Sequence, residues 1–275
     1  MSAPAIRRPA VAGRFYPAKR DTLIRQVDQY FTSEAATGEK NEAALGCMVP
    51  HAGYMYSGQV AAVVFGRLPA RAAYIILCPN HTGRGAPLAI MSGGEWLTPL
   101  GAVRVDADLA LSLRHSCALL MEDAAAHEDE HSIEVQLPFL QRSVGTFTFV
   151  PIAIGVSRLA ALESLGRGIA QALAHWPSPV LIVASSDMNH YEPDDVTRVK
   201  DRKAIDRILA LDPAGLYEVI GREDISMCGY GPAIAMLTAS KALGATRAEL
   251  ACYATSADTS GDRSAVVGYA GIVVS

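Results

Sequence analysis

Three short apolar segments of this chain are each followed closely by a histidine. The segments are CMVPHAGY, YIILCPNHTG and VLIVASSDMNHY, and the histidines are His51, His81 and His190. Runs this rich in valine, isoleucine and leucine are typical of strands that are buried on both faces. In open α/β sheets, ligands and catalytic groups collect beyond the carboxyl ends of such strands. The repeated pattern therefore predicts an α/β fold with a metal-binding or proton-transferring site at one edge of its sheet.

Strand-like and helix-like segments alternate along the whole chain of 275 residues, which is typical of α/β architecture. The segment 95–101 (EWLTPLG) is predicted to be rich in turns. No repeat, low-complexity tract or linker divides the chain, so one domain over residues 1–275 is predicted. The predicted strands are 46–50, 73–78, 88–91, 147–154, 179–185, 247–254 and 264–274, and the predicted helices are 22–31, 106–115, 132–141, 159–175, 193–211, 214–221 and 232–243.

Composition excludes several classes of function. The net charge is −4 and no basic tract is present, which argues against nucleic acid and anionic membrane surfaces as partners. No apolar stretch approaches the roughly 20 residues that span a bilayer. The segment MSAPAIRRPAVAGRFYP lacks the continuous apolar region of a secretory signal. These features predict a soluble, cytoplasmic protein.

The cysteines predict free thiols. There are five, no two form a CxxC pair, and three of them (Cys47, Cys78 and Cys252) lie in predicted strands. This pattern favours reduced, buried cysteines over a disulfide framework. Cys228 is the exception, because it opens the glycine-rich segment CGYGP.

Two similar loops follow the first two apolar segments. His51 lies in PHAGY and His81 in PNHTG. Proline ends the strand ladder, and glycine lets the backbone approach a ligand or a neighbouring segment. A neutral imidazole there can bind a divalent metal through one nitrogen while another group fixes the second nitrogen. Each could instead be a hydrogen-bonded structural histidine, but two matching loops favour a shared metal site.

An acidic segment surrounds a fourth histidine. Residues 128–134 (EDEHSIE) place four carboxylates around His131, and Ser132 is a plausible N-cap for the helix that follows. A solvated helix start is the simpler interpretation. The apolar continuation IEVQLPFL nevertheless predicts that one face is buried. His131 and Glu134 are three residues apart and could share a helical face, where they would orient a metal ligand or relay a proton.

The segment SSDMNHY predicts a general base. Asp187 and His190 are close enough in sequence for the carboxylate to orient the imidazole or to raise its pKa. A nucleophilic role for Ser185 or Ser186 is disfavoured because no GxSxG elbow is present.

The loop TSADTSGD at 255–262 combines hydroxyls, two aspartates and a glycine. Its spacing does not match an EF-hand. A polar lining for a cleft is the favoured interpretation.

Together, these motifs resemble the Memo family, whose bacterial and archaeal members are also called AmmeMemoRadiSam system protein B. The resemblance rests on PHAGYMYSG, PNHTG, HEDEHSIEVQLPFL, SSDMNHY, CGYGP and YATSADTSGDRSAVVGYAG, which occur in family order from about residue 12 onward. It implies a single α/β domain with a central mixed sheet flanked by helices, similar in fold to the class III extradiol ring-cleaving dioxygenases. Those enzymes bind non-haem Fe(II) through two histidines and a carboxylate.

The resemblance also implies roles for individual residues. His51 and His81 match the two metal-binding histidines, His190 matches the acid–base histidine, and Asp187 matches the aspartate that accompanies it. The third metal ligand of the dioxygenases lies in the loop after the penultimate strand, where the position falls on Thr259. A threonine hydroxyl is a poor ligand for iron(II), which prefers an anionic oxygen. Asp258 is therefore the expected third ligand, with water as the alternative.

Two hypotheses of function follow. The first is a metal-dependent redox enzyme that acts on a small aromatic or other chelating substrate, with Fe(II) as the favoured metal and copper or zinc as alternatives. Its catalytic residues would be His190, Asp187 and His131. The second is a binding or assembly module with a vestigial site, which works with radical-SAM and AMMECR-type proteins. A zinc hydrolase is a third, weaker hypothesis.

Overall fold

One mixed sheet organises the computed structural model, which describes residues 5–33 and 36–275. The strands are β1 (Ile6–Arg7), β2 (Gly46–Val49), β3 (Ala73–Pro79), β4 (Leu88–Ile90), β5 (Glu95–Thr98), β6 (Gly101–Val105), β7 (Met121–Glu122), β8 (Thr148–Ile154), β9 (Val180–Ser185), β10 (His190–Glu192), β11 (Ala248–Thr255) and β12 (Val266–Val274). The helices are α1 (Arg20–Phe31), α2 (Tyr54–Arg67), α3 (Ala107–Ser116), α4 (Leu137–Ser143), α5 (Leu159–Leu173), α6 (Asp194–Leu209), α7 (Pro213–Arg222), α8 (Tyr230–Ala242) and α9 (Ala257–Ser260).

The centre of the sheet is parallel and its flanks are mixed. The main path runs β1-β5-β6-β8-β3-β9-β2-β12-β10, with β11 beside β12, and with β4 between β7 and β8. Strands β8, β3, β9 and β2 are parallel to their neighbours within this block. Strand β12 runs antiparallel to β2, β10 and β11. The predicted α/β fold with a central mixed sheet is confirmed.

The two faces of the central strands belong to two hydrophobic cores. Along β3, Ile75 and Leu77 pack into one core, whereas Tyr74 and Ile76 pack into the other. This is the two-residue alternation of a strand, and both faces are buried because helices cover each of them. Helices α1, α2 and α4 cover one face, and α3 with α5 to α8 cover the other. None of the helices in the described residues is long and apolar enough to cross a membrane.

The parallel block brings the predicted histidines to one edge. Strands β3, β9 and β2 are consecutive neighbours that run in the same direction. Their carboxyl ends are followed by His81, Asp187 and His51, respectively. Two of the three histidines in the repeated pattern, His51 and His81, thus lie just beyond the ends of parallel strands, and His190 lies at the start of β10.

Three local predictions differ from the structure. Residues 54–67, for which no element is predicted, form helix α2, whose two glycines and β-branched residues obscure the helical pattern. Residues 95–101, predicted as turns, contribute to the hairpin of β5 and β6. The predicted helix 132–141 is a 3-10 turn at Glu134–Gln136 followed by α4, which has Pro138 in its first turn. Proline is tolerated in the first turn of a helix, but it lacks the backbone N–H that would continue a helix from the preceding residues. Those residues therefore form a loop before α4.

A buried ion pair ties the start of the described chain to this loop. The guanidinium of Arg7 binds the carboxylate of Glu134, and both side chains are almost completely buried. Arg7 also donates to the carbonyl oxygens of Glu130, at 2.6 Å, and His127, at 3.0 Å. Glu134 accepts further hydrogen bonds from the hydroxyl of Tyr16, at 2.6 Å, and from the backbone. Glu134 therefore anchors the loop, and does not pair with His131 as predicted.

Breaking this pair should destabilise the fold strongly. In Glu134→Gln the charge of Arg7 stays buried without its partner, which typically costs about 3 kcal/mol or more. Chemical denaturation should show this loss in the free energy of unfolding. The matched control is Asp129→Asn, which removes an exposed partner of Arg84 and should cost less than about 1 kcal/mol. Equal losses in the two variants would contradict this interpretation.

A buried carboxylate also holds the loop before β10. Asp201, on α6, is completely buried. It accepts hydrogen bonds from the backbone N–H of Asn189, at 2.8 Å, and from the hydroxyl of Tyr253, at 2.7 Å. Burial raises the pKa of Asp201 to about 6, although the Tyr253 hydrogen bond opposes this.

The raised pKa makes stability depend on pH. A carboxyl whose pKa is higher in the folded state stabilises the fold below its ordinary pKa of 3.8, and this contribution is lost as the pH rises through about 6. Asp201→Asn cannot ionise, and its amide oxygen can still accept from the N–H of Asn189 while its amide NH2 donates to the Tyr253 oxygen. The free energy of unfolding of this variant relative to wild type should therefore rise by up to about 3 kcal/mol between about pH 4 and pH 7. Denaturation curves that stay parallel over this range would contradict the prediction.

A candidate metal centre at the carboxyl edge of the sheet

A cavity of about 790 Å³ opens at the edge where the parallel strands end. Its wall includes all four histidines singled out in the sequence, His51, His81, His131 and His190, together with Asp187. The rings of His51, His81 and His131 lie close together, with centroids 5.0 to 5.5 Å apart. The structure thus gathers residues from segments that are far apart in sequence.

Ser185 determines which nitrogen of His51 faces the cavity. The Ser185 hydroxyl donates to the carbonyl oxygen of Ser132, at 2.7 Å, and accepts from the amide of Gln136, at 3.0 Å. It therefore meets Nδ1 of His51, at 2.9 Å, as an acceptor, because its single proton is already used. Nδ1 of His51 thus carries the proton, and Nε2 presents a lone pair.

Cys228 lies directly against this lone pair. Its Sγ is 3.2 Å from Nε2 of His51 and accepts from the backbone N–H of Asp187, at 3.3 Å. The residue after it must be glycine, because a Cβ at Gly229 would lie 2.4 Å from the carbonyl oxygen of Ser185. The CGYGP segment thus passes close to the end of β9 and brings a thiol to the histidines.

Glu130 orients His81 in a similar way. The carboxylate is fully buried and accepts from the backbone N–H of His81, at 2.7 Å, and from its Nδ1, at 3.0 Å. The backbone N–H and the hydroxyl of Ser132 also donate to it. Since Nδ1 of His81 donates to Glu130, its Nε2 is free to bind a metal. A carboxylate behind a histidine is a common outer partner in metal sites.

The same carboxylate lies beside His131. Nδ1 of His131 is 3.4 Å from Glu130, and its ring stacks on that of His81. The ring also makes an edge contact with Phe15, at 4.8 Å between centroids. Ser132, predicted as a helix cap, instead bonds Glu130. The two outer carboxylates of the acidic segment, Glu128 and Asp129, are exposed and pair with Arg84.

The charges of the site follow from burial and these contacts. Burial and the neighbouring histidines hold the pKa of His51 well below its usual value. Burial also opposes protonation of His81, but the hydrogen bond and charge of Glu130 outweigh it and raise the pKa of His81. For Glu130, the bonds from His81 and Ser132 overcome burial and lower its pKa. Burial raises the pKa of the Cys228 thiol, so an unpartnered thiolate is disfavoured there without a metal.

His190 faces the same cavity as a neutral imidazole. Its Nδ1 donates to the carbonyl oxygen of Ser226, at 2.9 Å, and burial lowers its pKa. The structure does not pair it with Asp187 as expected. Asp187 instead accepts from the backbone N–H of His51, at 2.7 Å, and burial raises its pKa to about 7.

The structure does not bring Asp258 or Thr259 to the histidines. Asp258 accepts from the guanidinium of Arg198, at 3.2 Å, and from the backbone N–H of Thr255, at 2.8 Å. Thr259 donates to the carbonyl oxygen of Met55. Other residues of this loop, Ser256, Ser260 and Asp262, line the cavity, in keeping with the predicted polar lining.

Three donors converge in place of the expected set. One metal-ligating atom from each of His51, His81 and Cys228 lies within 4.8 Å of the others. Two imidazole nitrogens and a thiolate suit copper or zinc, whereas an iron(II) facial triad uses a carboxylate as its third donor. The donors present therefore fit a metal ion. A second group within the same distance, His81, Glu130 and His131, shares one histidine with the first.

The sequence marks Cys228 only by its glycine-rich surroundings and carries no local signal that it is a ligand. Glu130 appeared only as one of four carboxylates, and no local signal distinguishes it. Ser185 was considered as a nucleophile, whereas the structure makes it the acceptor that fixes His51.

Comparisons with known proteins agree with the resemblance in the sequence. The chain is 47% identical to an MEMO1 family protein of Methanosarcina barkeri, over 98% of this chain and 100% of that one. It is 46% identical to one from Pyrobaculum arsenaticum, over 98% of both chains. A third, from Methanopyrus kandleri, is 45% identical over 97% of this chain and 98% of the relative.

The fold also has a counterpart among solved structures. A crystal structure of an uncharacterized protein from Escherichia coli K12 superimposes with a TM-score of 0.56, over 83% of this chain and 98% of that one. The identity is 13%, so this likeness concerns the fold alone. The family model described as Memo-like protein matches residues 7–273. The chain belongs to the Memo family.

Proposed function

We propose that this chain is a metal-dependent oxidoreductase that acts on a small molecule, with His51, His81 and Cys228 as the metal ligands. The observation that supports this most directly is the convergence of their three donor atoms within 4.8 Å at the edge of the sheet. Both histidines have their Nδ1 atoms engaged by Ser185 and Glu130, so each can offer Nε2. Such fixed imidazoles lose little freedom on binding a metal.

Copper is the metal that this donor set supports best. Two histidines and a thiolate form the trigonal set of copper electron-transfer sites, and soft thiolate ligands favour copper over harder ions. Iron(II), which the resemblance to the extradiol dioxygenases favoured, would bind here with a thiolate in place of the usual carboxylate. A bound copper or iron ion would supply one-electron redox chemistry and an open coordination position for a chelating substrate.

The surrounding side chains supply proton transfer. His190 is neutral, and its Nδ1 is held by Ser226, so its Nε2 can accept a proton from a substrate hydroxyl in the cavity. Asp187 is buried beside His51 and Cys228, where it can hold a proton close to the ligands. His131, stacked on His81, is the third candidate for proton transfer. A volume of about 790 Å³ is within the range of small-molecule sites.

Zinc hydrolysis is the second candidate. The same two histidines and thiolate also suit zinc, and a fourth position would remain for water. The identity of the bound metal separates the two functions. Cooperation with radical-SAM and AMMECR-type proteins stays a prediction of the family resemblance.

Metal content tests the ligand set. Anaerobically purified wild-type protein should contain about one copper or iron ion per chain. Cys228→Ser should lose most of this metal, because serine is not a soft donor, and with copper it should also lose the thiolate-to-metal absorption band. The control is Cys252→Ser, a partly buried thiol on β11, which should bind metal like wild type. Full metal content in Cys228→Ser would exclude the thiolate ligand, and stoichiometric zinc would favour the hydrolase.

The carboxylate behind His81 should tune metal affinity. Glu130→Gln removes the charge that fixes the His81 ring, and the loss of such a partner typically weakens metal binding about 10- to 100-fold. Competition with a chelator of known affinity measures this change. Glu128→Gln, on the same loop but exposed, should leave the affinity unchanged. Identical affinities of the two variants would show that Glu130 has only a structural role.

A further inference from the structure

The wall of the cavity contains carboxylates and aromatic rings. Among its residues, all of which belong to the described part of the chain, there is no lysine or arginine. The acidic side chains are Asp187 and Asp262. The charge of a divalent ion at the proposed centre would be balanced by the Cys228 thiolate and by Glu130. Asp187 is buried and holds a proton in the proposed function, so Asp262 is the remaining carboxylate that a ligand meets. A negatively charged ligand meets no lysine or arginine in the wall.

The cavity has a buried end and an exposed end. His51 and Asp187 are 2% and 5% exposed and lie at the buried end. Asp262 is exposed and lies on the loop that forms the rim. Its Oδ1 accepts from the backbone N–H of Ser264, at 2.9 Å, and from the Ser264 hydroxyl, at 2.7 Å. These bonds lower the pKa of Asp262, and its Oδ2 accepts no hydrogen bond from the described residues. An ionised oxygen is thus available at the rim.

Several aromatic side chains also line the cavity. They include Phe15, Tyr56, Tyr269 and Tyr191. Tyr191 is 77% exposed, and its ring centroid is 5.7 Å from that of His190. Its φ of 61° is in the left-handed region, which a tyrosine rarely adopts. An exposed aromatic ring that lines the cavity beside His190 is a suitable surface for another flat ring.

Two arginines near the rim, Arg198 and Arg263, bind other carboxylates. Arg263, next to Asp262, donates to Asp194 at 2.6 Å. Arg198 binds both Asp194 and Asp258. Arg14 lines a separate groove, which shares Phe15, Gly53 and Tyr56 with the cavity but lies outside its wall. A compact ligand in the cavity therefore meets Asp262 as the charged group at the rim.

We infer that the cavity selects a small aromatic molecule that carries a protonated amine, with the ring between the aromatic side chains and the amine at Asp262. This inference rests on the proposed function in one respect. At the buried end of the cavity, the ring hydroxyls would reach the metal ligands and His190. A carboxylate in place of the amine is disfavoured by repulsion from Asp262. Aromatic rings also attract a cation at their faces, which adds to the preference.

Three ring-matched probes test this preference. They are dopamine, which is cationic, 4-ethylcatechol, which is neutral, and 3,4-dihydroxyphenylacetate, which is anionic. Calorimetric titration under anaerobic conditions should give dopamine the highest affinity and the carboxylate the lowest, with about a fivefold difference at low salt, as expected for a partly screened charge. The difference should shrink as the salt concentration rises.

Two variants test whether Asp262 causes the preference for the amine. Asp262→Asn keeps an acceptor for Ser264 but loses the charge, and the preference for the amine should fall to about twofold or less. Arg14→Gln, in the neighbouring groove, should leave the preference at its wild-type value. If the carboxylate binds best and Arg14→Gln abolishes its binding, the inference is overturned and the ligand extends into that groove.

Metal-free protein separates this inference from the proposed function. Tyramine, 4-ethylphenol and 4-hydroxyphenylacetate carry the same charges without a chelating pair of hydroxyls, so their order of affinity depends on the cavity wall alone. Preference for tyramine in metal-free protein supports the inference even if no metal is bound. Equal affinities, preference for the carboxylate, or failure of all probes to bind overturns it. A failure of the proposed function would instead appear as absence of metal from the wild-type protein.

Discussion

The site depends on the buried guanidinium of Arg7. One arginine binds the carboxylate of Glu134 and the carbonyl oxygens of Glu130 and His127, and thereby fixes an acidic loop that has little regular structure of its own. A buried charge persists only when its partners satisfy it. The partners of Arg7 belong to the loop that places the Glu130 carboxylate against His81 and His131. Arg7, in β1, therefore helps to place the carboxylate of Glu130 in the candidate metal site.

Local sequence patterns predicted the central strands well, because a strand that is buried on both faces needs a short run of apolar residues. Valine- and isoleucine-rich runs became the central strands, and the residues just beyond them, His51 and His81, met at one edge because β2, β9 and β3 are parallel neighbours. Helix α2 was missed because its glycines and β-branched residues have low helix propensity. The helix predicted from residue 132 starts later, at Leu137, because the residues before it bind Arg7 through Glu130 and Glu134 and form only a short 3-10 turn.

The partners of the site residues could not be read from sequence, because they depend on contacts between distant segments. Asp187 and His190 are three residues apart, yet each finds its partner elsewhere, in His51 and Ser226. Cys228 reaches His51 across the fold only because Gly229 permits a close backbone approach to the end of β9. Asp258 was expected as a ligand because it adjoins Thr259, which the family resemblance matches to the third ligand position, whereas the structure pairs its carboxylate with Arg198.

The position of β12 in the sheet has a consequence for folding order. This strand pairs with β2 through Ile272 and Met48 and with β10 through Val267 and His190, so segments from opposite parts of the chain become neighbours. Contacts of such large sequence separation form slowly, because the entropy of closing the intervening loop opposes them. During synthesis, β2 lacks this neighbour until β12 has left the ribosome. The edge of the sheet that carries His51, two residues beyond the end of β2, is therefore expected to be completed late in folding.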